Sequence, residues 1–167
     1  MSYARTLSRA TTPEDAFAAL HAISQDVLPV RLWTVMTVDM AAGVARRAYT
    51  SHPEAYPTSG TKPIPDNDWF AQVHERRKPF VANAIEEIAA VFSDHETIAA
   101  LGCASCLNLP VTLGGTLAGT VNLLDGPDRF DPATVERLLD ALALPALAAF
   151  ATAEVLAGRP SDRPLGH

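Results

Sequence analysis

Two apolar stretches in the second half of the chain constrain its fold more than anything else in the sequence. Ser105–Leu113 (SCLNLPVTL) and Thr116–Asp125 (TLAGTVNLLD) read as strands joined by Gly114-Gly115, a pair suited to the positive φ angles of a tight hairpin turn. Both stretches are apolar at successive positions, so both faces of the hairpin need cover. A hairpin buried on two sides belongs at the centre of a layered domain.

The remaining segments supply the layers. Thr12-Pro13-Glu14-Asp15 starts a helix, with Thr12 as the cap and Pro13 in the first turn. Phe17, Leu20, Ile23, Val27 and Leu28 then recur at helical spacing until Pro29 ends it. Residues 31–39 and 44–51 read as a second hairpin turning at Gly43. Residues 52–65 hold Pro53, Pro57, Pro63, Pro65 and Gly60, and are expected to form a long ordered loop. Asp66-Asn67-Asp68 caps a helix reaching Lys78, residues 80–82 form a short strand, and 85–91 and 94–101 form two short helices. Asp131-Pro132 opens a long helix to Leu156.

The fold class that follows is α/β, of the α+β kind. A central, mainly antiparallel sheet of roughly five to six strands carries the terminal helices on one face and a loop-and-helix lid on the other. The expected boundaries are an N-terminal extension over 1–12, one domain over 13–157 and a flexible tail over 158–167.

Composition narrows the partners. The chain has 167 residues with a net charge of −6 and no basic stripe, so no nucleic-acid partner is expected. Arg76-Arg77-Lys78, its densest cationic run, reads as a solvated helix end. The apolar run over 141–151 is interrupted by Pro145 and falls short of the roughly 18 residues of a membrane span. A soluble, cytoplasmic protein with reduced thiols is expected, without a membrane partner. Cys103-x-x-Cys106 offers two thiols where a structural zinc needs four ligands. No metal and no cofactor are therefore expected.

The central hairpin also resembles a known family. Ser105-Cys106-Leu107-Asn108-Leu109-Pro110, followed after the turn by Gly115-Thr116-Leu117-Ala118-Gly119-Thr120-Val121-Asn122-Leu123, is similar to the signature hairpin of GAF domains, and the terminal helices match that family too. The loop over 51–63 is similar to one in small, stand-alone bacterial GAF proteins. The resemblance implies a GAF/PAS-like fold with a small-molecule pocket on the non-helical face of the sheet. It implies neither methionine sulfoxide reduction nor cyclic-nucleotide binding. No cysteine precedes Cys103, and the Lys and Asp-Glu of the nucleotide pattern are missing after Asn122-Leu123-Leu124-Asp125.

In such a domain Trp33, Tyr49, Tyr56 and Trp69 come from elements that flank the pocket, Lys62 is placed to clamp an anionic group, and Ser105 is a further ligand-binding candidate. Asn108 and Asn122 are amides in otherwise apolar strands. Each must be satisfied, by the other, by loop backbone or by a ligand, since a buried unpaired amide costs about 1–3 kcal/mol. A competing enzyme reading makes Cys103 a nucleophile with His95 or His52 as base, Asp94 orienting the imidazole and Ser105 nearby. Three functions therefore remain open: a small-molecule binding domain, a cysteine-dependent hydrolase or reductase acting on a small metabolite, or an interaction module whose pocket is vestigial. The last helix begins amphipathically and turns apolar all round over 141–151, more than one sheet face can cover. A homodimer through the terminal helices is expected.

Overall fold

A computed structural model describes residues 2–158. The expected flexible tail lies, from residue 159 onward, outside the described residues. Along the chain come α1 (Tyr3–Leu7), α2 (Pro13–Val27), β1 (Leu32–Asp39), β2 (Val44–Thr50), β3 (Lys62–Pro63), α3 (Asp68–Phe70), β4 (Phe80–Ala82), α4 (Ile85–Ala89), α5 (His95–Ala100), β5 (Ser105–Leu113), β6 (Thr116–Asp125) and α6 (Pro132–Ala157). The strands form one six-stranded sheet in the order β3-β2-β1-β6-β5-β4, antiparallel at every pairing. The proline-rich loop thus contributes an edge strand, the place where a residue without an N–H is tolerated.

Local signals act where the sequence puts them. Thr12 Oγ1 accepts the Asp15 N–H at 3.1 Å while Asp15 Oδ2 accepts the Thr12 N–H at 2.9 Å, a reciprocal cap on α2. Asp131 Oδ1 accepts the Thr134 N–H at 2.8 Å at the start of α6. Besides that edge strand, two further segments differ from expectation. Residues 3–7, read as part of an extension, form α1, and the Tyr3 hydroxyl donates to the Pro145 carbonyl oxygen at 2.6 Å. After α3 the lid helix widens over Ala71–Glu75, where the Arg76 N–H reaches Ala71 O, five residues back, at 3.2 Å. The cationic run beyond it is partly tied down, because Arg77 donates to Thr112 Oγ1 and Gly115 O, both at 2.8 Å. That anchors the lid to the central hairpin.

The sheet separates two interiors. Helices α2 and α6 cover one face, where Phe17, Leu20, Trp33, Val35, Leu107, Val121, Leu123, Leu138, Leu142 and Phe150 form the larger core. The lid and α4–α5 cover the other. By length and a mean hydropathy of 1.6, α6 is also sufficient to cross a membrane, which the broken apolar run had not suggested. Its Leu138, Leu142, Ala146, Ala149, Phe150 and Ala153 are buried in the fold.

The helical face holds one polar cluster. Trp33 stacks on His21 with ring centroids 4.8 Å apart, and its Nε1–H donates to Ser24 Oγ at 2.9 Å. Gln25 Oε1 accepts the Val30 N–H at 3.2 Å, which turns its Nε2 toward His21 Nε2, 2.8 Å away. His21 Nε2 must therefore accept, so Nδ1 carries the hydrogen and donates to the Tyr49 hydroxyl at 3.0 Å. A second proton would set donor against donor. Burial, aided by the charge of His52, holds the His21 pKa below its ordinary value of 6.5. Stability from this cluster is complete above that ordinary value and is lost as pH falls toward the lowered folded-state value, because only the unfolded chain binds the proton in between. His21→Gln is expected to lose less stability than wild type between about pH 7.5 and pH 5, measured by urea unfolding. Identical pH slopes would remove His21 from this role.

Candidate functional site

On the face away from α2 and α6, a cavity of about 370 Å³ opens between the sheet and the lid. Side chains alternate along a strand, and this face receives Thr34 and Met36 from β1, Cys106 and Asn108 from β5, and Asn122 and Leu124 from β6. Asn108 sits opposite Asn122, and Asn122 opposite Thr34. The three polar side chains therefore cross the middle of the sheet in one row.

That row is hydrogen-bonded in a single direction. Asn67 Oδ1 accepts the Phe70 N–H at 3.0 Å and caps α3, which holds Trp69 over the sheet. The Trp69 indole N–H donates to Asn108 Oδ1 at 2.9 Å, Asn108 Nδ2 to Asn122 Oδ1 at 2.8 Å, and Asn122 Nδ2 to Thr34 Oγ1 at 3.1 Å. An indole can only donate, so it sets the orientation of both amides. All four residues are buried. Each Nδ2 has a second hydrogen that the row does not use.

Charged groups gather at the mouth. The Arg47 guanidinium lies 3.5 Å from the centroid of the Tyr56 ring and donates to the Pro57 carbonyl oxygen at 2.8 Å. It also meets Asp94 Oδ2 at 3.3 Å, and the Tyr56 hydroxyl donates to the same carboxylate oxygen. Burial first, then the bond to Asp94 and its charge, push the Tyr56 phenol well above its ordinary pKa. Two bonds to Ser59 hold the loop on β2: the Arg47 N–H donates to Ser59 Oγ at 2.9 Å and the Ser59 N–H to Arg47 O at 3.1 Å. Exposed Lys62, on β3, completes the rim.

Of the residues singled out in the sequence, Tyr56, Lys62, Trp69, Asn108 and Asn122 line this one cavity. The alternatives for the two amides turn out to be compatible, since they bond each other and also line the cavity. Trp33 and Tyr49 need correction: both belong to the core on the helical face. Ser105 is corrected too, as its hydroxyl donates to Gly126 O at 2.6 Å beyond the end of β6. Thr34, Met36 and Arg47 line the cavity and carried no signal of their own. Thr34 becomes legible only once β1 is known to pair with β6 opposite Asn122.

The constellation imagined around Cys103 does not form. His95 Nδ1 engages the Phe92 carbonyl oxygen at 3.1 Å, His52 Nδ1 engages Ser51 Oγ at 2.9 Å, and Asp94 serves Tyr56 and Arg47 instead. Both cysteines are free and buried. Burial, with the charge of Asp125 nearby, pushes the Cys103 thiol up to about 11, and burial pushes Cys106 to about 12. A nucleophilic thiol needs the opposite shift.

A second, more open groove of about 560 Å³ lies at the far end of the sheet, lined by Phe17, Val38, Met40, Leu117, Phe150 and Ala153 among others. It lacks a buried polar row of the kind that floors the first cavity. Among the described residues, no group of three or more His, Cys, Asp or Glu side chains is arranged to hold a metal ion.

The fold and the chain's pattern have a family. The family model for the GAF domain matches residues 13–149. The chain belongs to the GAF domain family. Solved GAF domains share its architecture at low identity. One is from a two-component sensor histidine kinase of Bacillus halodurans, with 10% identity and a TM-score of 0.68 over 86% of this chain and 96% of that one. Another is from an Acinetobacter phosphoenolpyruvate-protein phosphotransferase, with 16% identity and a TM-score of 0.66 over 94% and 93%. A third, from a GAF domain/HD domain protein of Geobacter sulfurreducens, has 10% identity and a TM-score of 0.67 over 89% and 97%. At these identities the likeness concerns the fold alone. No curated protein matches the sequence.

In this GAF domain both thiols are expected to resist iodoacetamide at about pH 8 while the protein is folded, and to react only as it unfolds. Rapid modification of Cys103 at neutral pH, followed by mass spectrometry, would bring the thiol chemistry back.

Proposed function

We propose that this GAF domain binds a small polar molecule in the cavity between the sheet and the lid. The buried row from Trp69 through Asn108 and Asn122 to Thr34 carries this reading. Apolar side chains would fill that face without needing partners, whereas each buried amide has to be paired or costs about 1–3 kcal/mol. Retaining two amides beside a cavity makes sense if their unused hydrogens serve an occupant. Apolar walls with a few convergent polar groups are the usual make-up of small-molecule sites.

The two tryptophans separate the signal. Trp33 is sealed on the helical face and Trp69 lines the cavity. A bound molecule, found by native mass spectrometry after incubation with a metabolite extract, should change the fluorescence of Trp33→Phe but leave Trp69→Phe nearly unchanged. Asn108→Leu should weaken it at least about tenfold, about 1.4 kcal/mol. A response that survives in Trp69→Phe moves the site elsewhere.

The protein is further read as a homodimer through its terminal helices. On α6, Leu144 is 74% exposed, Leu147 38% and Val155 59%. Small residues such as Ala148 and Ala151 lie between them and permit close approach of a second copy. Light scattering at micromolar concentration should give twice the chain mass, and Leu147→Glu/Ala151→Glu should give a folded monomer. A monomeric wild type ends this part of the reading.

A further inference from the structure

We infer that the cavity's natural occupant is a small planar carboxylate, and that Asp94 holds its place on Arg47 and Tyr56 while the site is free of it. This rests on the cavity being a ligand site and goes beyond it by naming the ligand's chemical class and the group it displaces.

Charge is the first observation. Arg47 and Lys62 stand at the cavity against one carboxylate, Asp94, while Arg46, next to Arg47 on β2, alternates to the other face. The chain as a whole has a net charge of −6. A cationic mouth on an acidic protein draws anions, and low-dielectric walls concentrate that attraction.

Geometry is the second. Two donors converge on a single carboxylate oxygen: Arg47 at 3.3 Å and the Tyr56 hydroxyl. Arg47 is already aimed, by its contact with the Tyr56 ring and its bond to the Pro57 carbonyl oxygen. Pre-organised donors that hold a carboxylate suit another carboxylate of the same shape. Asp94 is a replaceable guest. Its side chain is 38% exposed, it meets Arg47 through one nitrogen only, and it makes no side-chain capping bond to α5. A one-pronged ion pair with a partly exposed carboxylate contributes less to folding than a bidentate, enclosed one.

The walls are the third. Trp69 and Phe92 stand edge to face at 5.6 Å between centroids, with Met36 and Leu124 on the sheet below. These apolar surfaces suit a flat body. The spare amide hydrogens of Asn108 and Asn122, which line the same cavity, would be available to an acceptor on its far side. Exchange at Arg47 would free Asp94 and with it the Phe92–Asp94 stretch ahead of α5, which also lines the cavity.

Benzoate and its neutral isostere benzamide test this on the intact chain, with Trp69 fluorescence in the Trp33→Phe background as the readout. Benzoate should bind at least about tenfold more tightly than benzamide. Asp94→Ala, which removes the internal competitor, should tighten benzoate about tenfold and leave benzamide unchanged. Arg47→Gln should abolish the preference, with Arg47→Lys restoring part of it and the urea midpoint reporting that each variant is folded. Equal binding of the two probes overturns the carboxylate inference while the cavity reading stands. Weaker benzoate binding in Asp94→Ala makes Asp94 a ligand contact and overturns its place-holding role. Silence from both probes in every variant overturns the inference, and native mass spectrometry decides the cavity reading separately.

Discussion

Side chains alternate along a strand, so one extra residue in a pairing reverses the face of everything beyond it. Two such bulges decide what meets what in this domain. Between β5 and β6, Val111 pairs with Gly119 and Thr112 with Leu117, so Ala118 is the extra residue. Without it, the Gly114-Gly115 turn would set Asn108 opposite Val121, and Asn122 would face the helices. Between β1 and β2, Val35 pairs with Tyr49 and Met36 with Arg47, so Ala48 is extra. An unbroken register would bring Tyr49 opposite Thr34 and into the cavity. Gly119 shows how tightly the first bulge is built. A Cβ there would lie 2.0 Å from the Met36 carbonyl oxygen and 2.8 Å from the Phe150 ring.

The two faces then acquire different chemistry from similar ingredients. On the helical side, Trp33, His21, Tyr49, Ser24 and Gln25 satisfy one another within a packed core. On the other side, Trp69, Asn108, Asn122 and Thr34 satisfy one another along a cavity wall, with hydrogens left over. A fixed donor orients each set: the Val30 N–H on Gln25 for the helical cluster, and the Trp69 indole for the cavity row. The difference lies in what covers them. Long helices with continuous apolar stripes close the first face, whereas short helices and a proline-rich loop bridge the second and leave space beneath.

Electrostatics at the cavity mouth is local. The chain is acidic overall, yet the loop draws Arg47 and Lys62 to one rim and ties them there through Ser59, Pro57 and the edge pairing of β3. Asp94 arrives from a distant part of the sequence to balance Arg47. Composition averages such an arrangement away, because a net charge holds no information about which groups are neighbours.

Much of the architecture was legible before any tertiary information. The Thr12-Pro13-Asp15 start, the Gly114-Gly115 turn, the doubly apolar strands and the Asp131-Pro132 start each express a short-range preference, and each acts where it stands. The GAF signature lies in the same central hairpin. Tyr56, Lys62, Trp69, Asn108 and Asn122 could be named as well, because a polar or aromatic residue in an unusual setting is visible in one dimension. Trp33, Tyr49, Ser105, the imagined Cys103 cluster, and the roles of Thr34, Arg47 and Asp94 could not be assigned correctly. Their positions depend on strand register, on two one-residue bulges and on contacts between segments far apart in the chain. The sequence by itself determined most of the elements, though not α1 or β3, because helix caps and turns are set by neighbouring residues. Only the tertiary structure decided which face each side chain entered, because that choice belongs to the pairing of strands and not to either strand alone.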